Sequence, residues 1–138
     1  MYEHPNVLLL STDKTVSSNL QNVLRELAIL TRVDTLSELG FHLKRSDYDA
    51  LFCAWSFHTG SWNDALKVVW KCRPDLPVIV LARIAEEQEW LQALETGAFD
   101  LLVPPFQSRE ILAVLEQASA TRQARASRSL AQRLKESA

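Results

Sequence analysis

Short, continuous apolar runs alternate with stretches of helical period along this chain, and that alternation restricts the fold more than any other feature. Asn6-Val7-Leu8-Leu9-Leu10 is apolar without a break and ends in Ser11-Thr12-Asp13, the pattern of a strand covered on both faces. Val16, Leu20, Val23, Leu24 and Leu27 then recur at helix spacing, with Asp13 or Thr15 available as a cap. Ile29, Thr31 and Val33 alternate, as in a more exposed strand, and Leu36, Leu39 and Leu43 mark a short helix ending near Ser46-Asp47. Ala50 to Ala54 is a third strand. After a loop with Gly60, Trp62, Leu66 and Val69 resume the helical period until Arg73-Pro74 and Pro77 stop it. Val78 to Leu81 is the fourth strand. Leu91, Leu94 and Ala98 stripe the next helix, ended by Gly97, and Asp100 to Val103 forms a fifth strand closed by Pro104-Pro105. Ile111, Leu112, Leu115 and Ala118 begin the last helix.

Five strand-then-helix units imply a parallel sheet with helices on both faces. With right-handed crossovers this predicts an α/β, doubly wound, flavodoxin-like (βα)5 sheet of strand order 2-1-3-4-5. The 138 residues fit one domain, read as a body over 1–120 and a basic extension over 121–138. Past Ala120 only Leu130 and Leu134 mark a face, so the segment reads as a continuation of the last helix or as a frayed tail.

Charge separates the same two parts. Residues 1–120 carry ten Lys/Arg against sixteen Asp/Glu, whereas 121–138 carry Arg122, Arg125, Arg128, Arg133 and Lys135 against Glu136 alone. An acidic body is a poor nucleic-acid platform, because phosphate affinity comes from clustered cations. The tail is either a solvated helix face or the part that seeks an anionic partner. No apolar run approaches the ~20 residues of a membrane span. The N-terminus lacks the pattern of a secretory signal, and Cys53 and Cys72 form no disulfide framework or zinc site. These features lead to an expected cytoplasmic location, with neither nucleic acid nor membrane as partner.

In an open α/β sheet, ligands bind at the carboxyl ends of the strands. Here those ends are Ser11-Thr12-Asp13, Ala54-Trp55, Ala82-Arg83 and Pro104-Pro105. Three blocks around them carry a family likeness: Tyr48-Asp49-Ala50-Leu51, Pro77-Val78-Ile79-Val80-Leu81, and the run from Glu95 through Gly97-Ala98-Phe99-Asp100 to Pro104-Pro105-Phe106. Through them, and through Gly60-Ser61-Trp62, the chain resembles the CheY-like receiver domains of two-component response regulators over roughly residues 5–120. The resemblance implies a signalling module that is not an enzyme and whose partner is a histidine kinase, another regulator or a second copy. It also implies a homodimer or docking surface on the fourth helix, fifth strand and fifth helix, where Trp90 and Leu101 fall. Trp90, on the flank of the fourth helix's stripe, suits either an interface anchor or the edge of the core.

The same resemblance locates a degenerate phosphorylation pocket. The acidic pair that holds Mg²⁺ corresponds to Ser11 and Thr12, leaving Asp13 as the one carboxylate nearby. The phosphoacceptor corresponds to Ala54, the hydroxyl residue to Ala82, the lysine to Pro104, and the switch aromatic of the fifth strand to Leu101. A methyl group cannot attack phosphorus, and hydroxyls are weak ligands for a hard cation. The expectation is a pseudo-receiver with no metal and no cofactor. Pro105 keeps the place of the family's proline, where a cis Pro104–Pro105 peptide is expected.

Other chemistry-bearing residues read as structural. Trp55 and Phe57 follow the third strand and either fill the vacated pocket or pack the loop. Trp62 caps the core, Trp70 is half exposed, and Cys53 is a small core residue. His58 near Asp64 lacks a fixed partner, and His4 and His42 suggest no ligand set. Glu86 to Glu89 reads as a solvated helix start. Two alternatives stay open. One is a flavin-binding electron carrier on the same fold, for which the Ser11 to Thr15 loop lacks a phosphate-cradling glycine. The other is a receiver using Ser11, Asp13 or His58 as an unconventional acceptor.

Overall fold

The computed structural model describes residues 4–12, 14–82, 87–104 and 106–137. Its main sheet runs β2 (Ile29–Val33), β1 (Asn6–Leu10), β3 (Ala50–Ala54), β6 (Val78–Leu81), β7 (Asp100–Leu102), all pairs parallel. Between β3 and the third helix lies a two-stranded antiparallel hairpin, β4 (Ser56–Phe57) and β5 (Gly60–Ser61). With the hairpin set aside, the order is the expected 2-1-3-4-5. The helices are α1 (Lys14–Leu27), α2 (Leu36–Arg45), α3 (Trp62–Cys72), α4 (Glu87–Thr96) and α5 (Ser108–Ser137).

The continuous apolar runs exist because the sheet has two covered faces. Successive side chains of a strand point to opposite sides. Leu8 and Leu10 of β1 therefore join Leu51 and Cys53 of β3 and Val78 and Val80 of β6 in a core under α2, α3 and α4. Val7, Leu9, Ala50, Phe52, Ile79 and Leu81 form the opposite core under Leu20 and Leu24 of α1 and Ile111, Leu115 and Ala118 of α5. A one-residue slip of any central strand would leave both faces apolar but break this interlock of shapes. The edge strand β2 is the exception. Ile29 is exposed, Leu30 to Arg32 are at most half-buried, and only Val33 is buried, which accounts for its alternating sequence.

The helix ends follow local chemistry. Thr35 caps α2, its Oγ1 accepting from the backbone N–H of Glu38 at 3.1 Å. At the other end of α4, Gly97 has φ +124°, a backbone region that side-chain-bearing residues avoid. Its N–H donates to Leu94 and the next N–H, of Ala98, donates to Ala93, so two otherwise orphaned carbonyls are satisfied.

The stripe expected on α4 is corrected. Leu91 is exposed and Leu94 half-buried, while Ala93 is fully buried and Ala98 nearly so. The small side chain of Ala93 lets the helix backbone approach the short strand β7 closely. Leu91, two residues or 200° away around the helix, then faces outward. α5 continues unbroken through Ala120 to Ser137. Among the described residues no helix is long and apolar enough to cross a membrane.

Candidate functional site

The register brings the expected positions together at the carboxyl ends of the strands. Leu10 pairs with Cys53, Ala54 with Leu81, and Leu81 with Leu102. One step beyond Leu10, Ser11 comes alongside Ala54 across the β1–β3 seam, and its N–H donates to Val33 O at 3.4 Å. The ladder continues past β3 and β6, with Trp55 N–H donating to Leu81 O and Ala82 N–H to Leu102 O, both at 2.9 Å. Ser11, Ala54 and Ala82 are buried, Thr12 is exposed and Pro104 half-buried. Asp13 and Pro105, with the expected Pro104–Pro105 cis peptide, lie outside the described residues, as does Arg83.

The strand ends thus carry methyl groups at Ala54 and Ala82, a buried hydroxyl at Ser11 and an exposed one at Thr12. Among the described residues no group of three His, Cys, Asp or Glu side chains could hold a metal ion. Ser11, Thr12, Ala54 and Ala82 offer hydroxyls and methyls but no carboxylate, the side chain proteins most often give Mg²⁺. Beneath the mouth, Cys53 is fully buried and its thiol donates to Ala54 O at 3.3 Å. Burial pushes the Cys53 thiol well above the ordinary thiol range, so it stays protonated and inert.

Sequence reasoning missed the hairpin beside this crevice, because two-residue strands carry no readable period. Ser56 pairs with Ser61 and Phe57 with Gly60. Trp62 N–H donates to Trp55 O at 3.2 Å, and the rings of Trp55 and Trp62 meet at 5.5 Å between centroids, tilted by 47°. Phe57 and Trp62 are buried members of the core, and Trp55 packs against it half-buried. Leu36 N–H donates to Thr59 Oγ1 at 3.3 Å, tying the hairpin turn to the start of α2. Asp64 accepts from Ser61 N–H at 3.0 Å. A Cβ on Gly60 would lie 2.6 Å from Asp64 Oδ2, so glycine is what permits this approach. His58 is exposed at the turn.

The expected docking residues divide. Leu101 is corrected: it is buried within the core under α4, since odd and even positions of β7 alternate faces and both faces are covered. Trp90 is a residue of α4, and its side chain lies outside the described residues.

No family model and no curated protein matches the chain. Solved structures do match. The receiver domain of an HD domain-containing protein from Pseudomonas fluorescens Pf-5 has a TM-score of 0.75 at 18% identity, over 88% of this chain and 99% of that one. The fold is that of a receiver domain. The receiver domain of a sensor histidine kinase from Pseudomonas aeruginosa PAO1, with magnesium coordinated in its active-site cleft, has a TM-score of 0.74 at 20% identity. The match spans 85% of this chain and 98% of that one. An adenylate cyclase from Rhodopirellula baltica has a TM-score of 0.77 at 16% identity, over 94% and 98%. At such identities the likeness is one of fold, and what this chain does must be argued from its own crevice.

Proposed function

We propose that this chain is a receiver-type signalling module that takes no phosphoryl group at the end of β3 and acts by constitutive association with a protein partner. The partner is a histidine kinase, another regulator or a second copy, and the setting is a two-component type of pathway in the cytoplasm. The observation that carries this reading is the pairing at the sheet's mouth. Ala54, 9% exposed, stands between Ser11 and Ala82, where a receiver's chemistry needs a carboxylate, a metal and a charged anchor.

Phosphoryl transfer rests on positioning and charge stabilisation. Ser11, Thr12, Ala54, Ala82 and Pro104 supply no charge for either. Phosphorylation ordinarily biases a two-state element by adding up to about two negative charges. Without that input, the hairpin packing of Trp55, Phe57 and Trp62 favours one arrangement, and control passes to partner binding or abundance. The surface formed by α4, β7 and α5 is the one assigned to docking, with Trp90 as its aromatic anchor.

Incubation with acetyl phosphate and Mg²⁺ followed by intact-mass measurement tests the first part. The expected spectrum is unchanged, and a gain of one phosphoryl mass overturns the reading. Trp90→Ala tests the second. It should reduce self-association in sedimentation, or kinase capture, while thermal melting remains cooperative. Unchanged association removes Trp90 from the interface.

A further inference from the structure

Four side chains at the amino-terminal end of the sheet, opposite the crevice, form a cluster that the proposed function does not use. Arg122 lies two residues past the end of the expected body. Its Nη2 is 3.6 Å from Asp47 Oδ1, its Nη1 3.5 Å from Asp49 Oδ1, and its Nε 3.8 Å from Asp75 Oδ2. Asp47 and Asp49 belong to the loop before β3, and Asp75 to the loop before β6. Each is held elsewhere or set close to the body. Asp49 accepts from Asn6 N–H at 2.9 Å. Asp47 also pairs with Arg73 at 3.2 Å, whose Nε donates to Leu43 O. Asp47 is 70% exposed, but the Arg122 side chain is only 23% exposed, with Asp49 at 28% and Asp75 at 26%. Screening by salt is weaker at such sites than on an open surface, and one guanidinium meeting three carboxylates is a network rather than an isolated pair.

We propose that Arg122 is an ionic joint that makes residues 121–137 a rigid arm of the body. An isolated helix of about 15 residues is marginal in water, because its first turn costs more than it returns. Here the first turns of α5 are formed on the core by Ile111, Val114, Leu115 and Ala118, and Arg122 fixes the next turn through three contacts. The segment beyond it only propagates. It is about 22 Å long. Without Arg122, Asp47 would keep Arg73 and Asp49 the Asn6 N–H, and the arm would leave the core at the apolar contact of Ala118. The direction of the arm is therefore set by two loops far from Ala54. The body thus holds the arm in one direction with no chemistry in the crevice. The inference does not depend on the reading of that crevice.

Amide hydrogen exchange followed by mass spectrometry on the full chain tests it. In the wild type, peptides covering 121–137 should show protection well above that of an unstructured segment. Arg122→Gln should speed exchange there by roughly fivefold or more, with peptides from β1 and β3 unchanged. Arg122→Lys, which keeps the charge and loses the fork, should fall between. Asp75→Asn removes a single contact and should speed the arm alone; it carries the test if Arg122→Gln disturbs the core. An arm that exchanges freely in the wild type, or at the same rate in Arg122→Gln and Asp75→Asn as in the wild type, overturns the proposal.

Discussion

Replacing Gly97 by alanine tests the packing of α4 against α3 quantitatively. Two costs apply. The backbone at Gly97 has φ +124°, and a residue with a side chain held in such a region costs about 1–3 kcal/mol. The new Cβ would also stand 2.7 Å from Trp70 Cζ2, where carbon contacts settle near 3.5–4.0 Å, so the ring must retreat by about 1 Å. Trp70 is already 47% exposed. Its retreat gives up no more than about half of the 1.5–3 kcal/mol that burying a large apolar side chain contributes, or about 1 kcal/mol. Against this, alanine lowers the entropy of the unfolded chain by about 0.4–1 kcal/mol. The expected net loss is about 2–3 kcal/mol, read as a lower urea midpoint at unchanged slope. In a Trp70→Ala background the steric part disappears and about 1–2 kcal/mol should remain. A Gly97→Ala protein within about 0.5 kcal/mol of the wild type would refute the strain argument, and an identical penalty in both backgrounds would refute the contact with Trp70.

Three further outcomes are expected. The buried Cys53 thiol has its pKa raised above the ordinary value of 9.0; a raised value keeps its stabilisation intact below pH 9 and loses it as pH climbs beyond. Urea midpoints should therefore fall above pH 9, and Cys53→Ala should flatten that slope. Thiol titration of the native protein should modify half-buried Cys72 before Cys53. Asp64→Ala removes the acceptor for Ser61 N–H and should cost about 0.5–1.5 kcal/mol, checked by denaturant unfolding. Ala54→Asp should remain without phosphate in acetyl phosphate, because Ser11, Ala82 and Pro104 still offer no metal site or cationic anchor, and intact mass reads this directly.

The central strands were legible because burial on both faces leaves a continuous apolar run, and the crevice followed because strand ends can be counted from those runs. Ser11, Ala54 and Ala82 fall where the count places them. Other features had no such signal. The hairpin of Ser56–Phe57 and Gly60–Ser61 is too short for any period to show. On α4, three apolar residues at helix spacing suggested a buried face, yet a close helix–sheet approach favours Ala93 and turns Leu91 outward. Leu101 occupies an edge strand whose two faces are both covered, so an edge position does not bring it to the surface. The Arg122 cluster joins residues 47, 49, 75 and 122 through two loops and a helix, a meeting that charge counts along the chain do not reveal.

Backbone chemical shifts recorded while Mg²⁺ and beryllofluoride are added probe the strand-end crevice most directly. Resonances of Ser11, Thr12, Ala54, Trp55, Ala82 and Val103 should stay where they are, because Ala54 and Ala82 end in methyl groups and Ser11 and Thr12 in hydroxyls. Saturable shifts centred on those residues would mean that the crevice binds a cation and a phosphoryl mimic, and that the switch is live.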